Sequence, residues 1–207
     1  MNLKNSILRI ILLILCLIGF SVVFAQDSEN KESNMTDKKV LVVFFSRAGE
    51  NYSVGNVKVG NTQIIANMIS KRLSADMFQI IPVHPYPEDY TECTKVAQNE
   101  LAEEVRPSYV GDTDISGYDV VFIGYPNWWG DAPMPVYTFI ENHDWEGKTV
   151  YPFCTHEGSG LSNLKEISSA CKGASVKQGI GIYGHVAQNE TEKAKQIVSN
   201  WLDKIKF

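Results

Sequence analysis

Two stretches of the chain, residues 40–46 (Val-Leu-Val-Val-Phe-Phe-Ser) and 119–125 (Asp-Val-Val-Phe-Ile-Gly-Tyr), run almost without a polar residue over the length of a strand. A strand apolar at every position is covered on both faces, which a parallel sheet between helical layers provides. The stretches between them carry helical spacing. Asn61-Thr-Gln opens a segment with Ile64, Ile65, Met68, Ile69 and Leu73 on one side. Residues 77–83 read as a second strand, and residues 90–105 as a helix stopped by Pro107. Residues 135–142 form a short helix begun by a proline, whose missing N–H is harmless at that position. Residues 149–154 are the fourth strand, with a helix over 161–171 after it. Residues 175–183 are the fifth strand, weakened by Gly179 and Gly181. A last helix over 190–205 shows one stripe: Ala194, Ile197, Val198, Trp201, Leu202 and Ile205. Right-handed crossovers then predict a three-layer α/β sandwich around a doubly wound, five-stranded parallel sheet.

The N-terminus stands apart. Lys4 and Arg9 precede an apolar run over 10–24 broken only by Gly19 and Ser21, and Val23 and Ala25 have the spacing of a cleavage site. Residues 1–25 read as a secretory signal peptide, 26–38 as a polar linker and 39–207 as the folded domain. An uncleaved membrane anchor is the alternative, because the run approaches spanning length. Cleavage leaves an exported domain with no membrane contact. Leu15 before Cys16 argues against a lipid on that cysteine, and no Arg-Arg pair signals export in the folded state. Losing Lys4 and Arg9 and no acid moves the net charge from −5 to −7. Such acidity argues against nucleic acid as a partner. Cys93, Cys154 and Cys171 fit no zinc or CxxC pattern; one disulfide and a free thiol are permitted, in any pairing.

Ligands of an open α/β sheet bind beyond the carboxyl ends of its strands. Three turns there are unusual. The first is Ser46-Arg-Ala-Gly49, an eleven-residue excursion, then Asn61-Thr62 at a helix start. Hydroxyls and free amides at a helix N-terminus suit a phosphate, although Asn61 or Thr62 also fits a simple cap. Neither a Walker loop nor a dinucleotide Gly-x-Gly-x-x-Gly is present. The second turn, 125–135, holds Pro126, Asn127, Trp128, Trp129 and Gly130. Two adjacent tryptophans cannot both enter one core face, so one is free to cover a flat ring. The third, Thr155-His-Glu-Gly-Ser-Gly160, brings flexible main chain near a ligand.

With these motifs the chain resembles the flavodoxin family, and most closely its branch with Tyr-Pro-x-Trp-Trp-Gly after the third strand and Thr-x-x-Gly-Ser-Gly after the fourth. The resemblance covers residues 39–207 and implies sheet order 2-1-3-4-5 and an FMN cofactor. It implies that Ser46, Arg47, Ala48, Asn61 and Thr62 hold the phosphate. Pro126, Asn127, Trp128, Trp129, Gly130, Thr155, His156, Gly158, Ser159 and Gly160 then surround the ring. The family's phosphate loop has a middle hydroxyl where this chain has Ala48, and residues 50–59 look inserted; Arg47 is the expected substitute donor. Glu157, Asp131 and the net charge are expected to disfavour an anionic reduced flavin. The implied role is electron transfer to a redox partner protein or small acceptor. The alternatives are an FMN-dependent NAD(P)H:quinone-type oxidoreductase, or a binding module that has lost FMN.

Overall fold

The structure, a computed structural model, describes residues 38–205. The expected signal peptide and nearly all of the linker lie outside the described residues. No helix among the described residues is long and apolar enough to cross a membrane.

The first apolar run is β1 (Val40–Phe45), followed by a hairpin of β2 (Gly49–Asn51) and β3 (Gly55–Val57) and by α1 (Asn61–Leu73). β4 (Asp76–Ile80) and α2 (Tyr90–Ala102) come next, then β5 (Val120–Pro126) and α3 (Met134–Glu141). β6 (Thr149–His156), α4 (Leu164–Ala170), β7 (Ser175–Val176) and β8 (Ile180–Tyr183) follow, and α5 (Gly184–Asn189) and α6 (Thr191–Leu202) complete the order. The sheet runs β4-β1-β5-β6, with β7 and β8 both paired to β6. Every pairing in it is parallel. This is the expected 2-1-3-4-5 order, with the fifth strand in two pieces.

Alternate residues of the central strands feed the two layers. Leu41, Val43 and Phe45 join Val121, Ile123 and Tyr125 in one cluster with Phe139, Ile140, Trp145 and Ile167. On the opposite face Phe122 meets Trp201 of α6 edge-on, with centroids 5.6 Å apart. Each such side chain, fully buried, stabilises the fold by about 1.5–3 kcal/mol. The unbroken apolar runs therefore settle which strands lie at the centre.

The differences from expectation lie at the edges. β6 extends two residues beyond the expected strand, so Thr155 and His156 end it and do not belong to the turn. Residues 184–189 form a separate short helix before the last one. Residues 50–59 are not a loose excursion but contain most of the β2–β3 hairpin. The fifth strand breaks because Pro152 stands inside β6. The Lys177 amide donates to the Val150 carbonyl at 2.8 Å, so Val150 directs its backbone toward this edge. Pro152, two residues on, directs its backbone the same way and has no N–H to donate. Between the pairs Thr149–Ser175 and Phe153–Ile180 the edge strand takes one more residue than β6. Gly179 crosses at the break, where a Cβ would lie 1.9 Å from the Pro152 carbonyl oxygen. Gly179→Ala is expected to lower stability by about 1–3 kcal/mol, through overpacking against backbone. Urea denaturation checks this, and an unchanged midpoint contradicts it.

Candidate functional site

The carboxyl ends of β1, β5 and β6 open on one cavity of about 260 Å³. Its first wall begins at α1. Gly60 is the N-cap, and its side chain-free Cα allows the helix end to press on β1: a Cβ there would lie 2.3 Å from Ser46 Oγ and 2.4 Å from the Arg47 carbonyl oxygen. The cap hydroxyl comes instead from Ser46, whose Oγ accepts the Gln63 amide at 3.0 Å. Thr62 is buried, and its hydroxyl shares a hydrogen bond of 2.7 Å with that of Thr155 at the end of β6. The amides of Asn61 and Thr62 have no acceptor among the described residues. The first turns of α1, α3 and α5 carry no acid, whereas those of α2, α4 and α6 carry Glu92, Glu166 and Glu192. No acid of its own first turn therefore offsets the positive end of the α1 dipole at the cavity, which Glu157 also lines.

The second wall is a tight turn. Trp128 and Asp131 exchange both backbone hydrogen bonds, at 2.8 and 3.0 Å, around Trp129 (φ 56°) and Gly130 (φ 84°). Two positive φ values in the middle mark a primed turn, which glycine fills readily and tryptophan does not. The strained position turns the Trp129 ring outward, 54 % exposed, and its Nε1–H donates to the Thr94 carbonyl of α2 at 2.9 Å. Trp128 points inward, edge-on to Phe45 and Tyr86 at 5.3 and 4.9 Å. Asn127 ties the turn down: its amide donates to the Thr155 carbonyl, its side-chain oxygen accepts the Gly130 amide and its Nδ2 donates to Ser162 Oγ.

Of the expected site residues, Arg47, Asn61, Pro126, Asn127, Trp128, Trp129, Thr155 and His156 line the cavity. Ser46 and Thr62 lie beside it with their hydroxyls engaged. Ala48, Gly130, Gly158, Ser159 and Gly160 are not among the lining residues. The Gly160 carbonyl instead accepts from Cys154 Sγ. Arg47, the expected substitute for the lost phosphate donor, lies at the cavity with its guanidinium already engaged. Its guanidinium donates to the carbonyls of Pro87 and Glu88 and, at 2.5 Å, to that of Glu50. The expected acids are also engaged. Asp131 accepts from the Ala132 amide and the Tyr137 hydroxyl, and Glu157 holds the backbone amide and ring Nδ1 of His185 at 2.7 Å each.

The cavity includes a wall that sequence reading passed over: Asn51 and Tyr52 from the hairpin, and Tyr90, Cys93, Thr94 and Ala97 from α2. The signal was available for α2, since a helix after any parallel strand begins at the same sheet edge. The three cysteines in the described residues are all buried and free, so no disulfide joins them. Burial raises the Cys93 thiol above its ordinary range and lifts Cys154 and Cys171 to about 12, which keeps all three protonated.

Residues 39–205 match the family model described as Flavodoxin. Among solved structures, the chain is similar to a protein described as a flavoprotein from Bacteroides eggerthii DSM 20697. The identity is 29 % and the TM-score 0.64, over 82 % of this chain and 100 % of that one. A second, from Bacteroides uniformis ATCC 8492, has 26 % identity and a TM-score of 0.60, over 78 % and 98 %. The fold also matches a Lactobacillus acidophilus NCFM flavoprotein solved in complex with FMN, at 18 % identity and a TM-score of 0.56, over 74 % and 97 %. Comparison with curated proteins gives no match.

His156, at the end of β6 on the cavity wall, provides a pH test. Burial holds its imidazole below the ordinary 6.5, and its Nδ1 accepts the Gly158 amide. The unfolded chain takes up a proton near 6.5 that the folded chain refuses. This contribution is therefore intact above that pH and is lost as pH falls. The urea midpoint is expected to fall between about pH 7.5 and about pH 5.5, and less so in His156→Gln. An identical fall in the variant contradicts the assignment.

Proposed function

The chain belongs to the flavodoxin family, and from that premise we propose that its domain binds FMN at the carboxyl edge of the sheet and carries electrons through it. One observation carries this reading. A single cavity joins a helix N-terminus with free amides to an outward-facing indole, which is the chemistry of a phosphate beside a flat ring. The residues fit the group. A Cβ at Gly60 would push α1 off β1, and the glycine keeps the helix end seated with Asn61 on the cavity wall and Thr62 beside it. The free amides need no middle hydroxyl, which accommodates Ala48.

Bound FMN supplies the ring that accepts and releases electrons, and the chain supplies position and electrostatics. The Asn61 and Thr62 amides, with the α1 dipole behind them, hold the phosphate. Trp129 covers the ring and excludes water, and its bond to Thr94 fixes the indole before binding. Asn127, anchored through Thr155 and Ser162, presents the turn to the polar edge of the ring. His156, kept neutral by burial, adds no cation to the site. FMN held by the L. acidophilus flavoprotein on the same fold supports the choice of cofactor.

A titration of FMN with the purified domain tests the reading. Saturable quenching of flavin fluorescence is expected, and Trp129→Ala weakens binding about ten-fold through loss of one stacking contact and its cover. No quenching in the wild-type domain contradicts FMN binding. Equal affinity in the variant contradicts the placement of the ring.

A further inference from the structure

The side chain of Asn61 is oriented by a residue 127 positions away. Gln188 of α5 reaches the start of α1, where its Nε2 donates to the Val59 carbonyl at 2.7 Å and to Asn61 Oδ1 at 2.8 Å. The chemistry of these partners fixes a direction. A backbone carbonyl only accepts, so the Gln188 atom that faces Val59 is the nitrogen. The second hydrogen of that nitrogen then needs an acceptor, which makes the Asn61 atom facing it the oxygen. Asn61 Nδ2, with two hydrogens to donate, is left without an acceptor among the described residues.

The same helix fixes where that donor lies. A Cβ on Gly184, the first residue of α5, would lie 2.2 Å from Asn61 Nδ2 and 2.8 Å from Glu157 Oε1. The glycine therefore lets the carboxamide lie against α5, beside an acid of the cavity wall. Glu157 does not take the donor. Its two oxygens are engaged by the backbone amide and ring Nδ1 of His185, at 2.7 Å each.

We infer that Gln188 is a positioning residue of the anion site, setting the Asn61 carboxamide so that its nitrogen, and not its oxygen, is left for the ligand. The inference rests on the proposed FMN site and deepens it. A third donor group then joins the backbone amides of Asn61 and Thr62, and the group that suits all three is a phosphate, whose ionised oxygens only accept. An asparagine carboxamide turns about its last bond with a broad, roughly two-fold preference. Without Gln188 it can turn half-way round and set an oxygen against the phosphate.

A double-mutant cycle on FMN affinity, read by quenching of flavin fluorescence, tests this in wild type, Gln188→Met, Asn61→Ala and the double variant. Methionine keeps the length of glutamine and removes its donors. Gln188→Met is expected to weaken FMN binding about five-fold. On top of Asn61→Ala it is expected to cost less than about two-fold, because its effect passes through Asn61. NMR of the ¹⁵N-labelled wild type reads the orientation without any variant. FMN is expected to shift the side-chain NH₂ pair of Asn61, and riboflavin, which has no phosphate, to leave it in place. Unchanged affinity in Gln188→Met overturns the inference. So does an equal loss with and without the Asn61 side chain, which makes Gln188 a brace between α5 and α1. An NH₂ pair that FMN leaves unmoved, or that riboflavin moves as far, overturns it too. All of these outcomes leave FMN binding itself standing. No FMN binding in the wild type overturns the cofactor reading and this inference with it.

Discussion

How closely the first turn of α1 approaches the end of β1 governs the whole carboxyl edge of the sheet, and Gly60 sets that distance. With the helix seated, Ser46 can cap Gln63, and Thr62 can meet Thr155 across the end of the sheet. The threonine pair is buried, and leaving one of its hydroxyls without a partner costs about 1–3 kcal/mol. The contact therefore couples the helix that carries the free amides to the strand that ends at His156. A helix displaced by one methyl group would lose both the coupling and the alignment of its dipole with the cavity.

The centre of this fold was legible because burial on both faces leaves a plain mark. Runs such as Val40 to Phe45 and Val120 to Tyr125 have the length and β-branched, aromatic content of strands covered on both sides. The edge was less legible. The weakness of the fifth strand showed in Gly179 and Gly181, but its cause, Pro152, lies in the neighbouring β6 and gave no local sign. The hairpin at 49–57 left little trace, since three-residue strands are too short to show alternation. Its two positive-φ glycines, Gly49 and Gly55, were the available sign.

The site was legible as three turns and illegible as a set of side-chain partners. Trp128 and Trp129 were correctly separated into an inward and an outward ring only once the turn was seen, because a tryptophan at positive φ defeats residue preference. The partners of Arg47 were hidden for a different reason. Its acceptors at Pro87 and Glu88 are forty residues away, and no local pattern reports a contact of that range. Asp131 and Glu157 likewise hydrogen-bond to Tyr137 and His185, partners that no local pattern reports.

The central claim is that the amide-bearing end of α1 and the Trp129 turn together receive FMN. Addition of FMN to the ¹⁵N-labelled domain, followed by NMR, tests it most directly. The account predicts that the amides of Asn61 and Thr62 and the indole N–H of Trp129 shift together along one saturation curve, while the guanidinium of Arg47 stays bound to its carbonyls. Shifts confined to another face, such as the groove between α3 and α4, or FMN binding that leaves Asn61 and Thr62 unmoved, would contradict it.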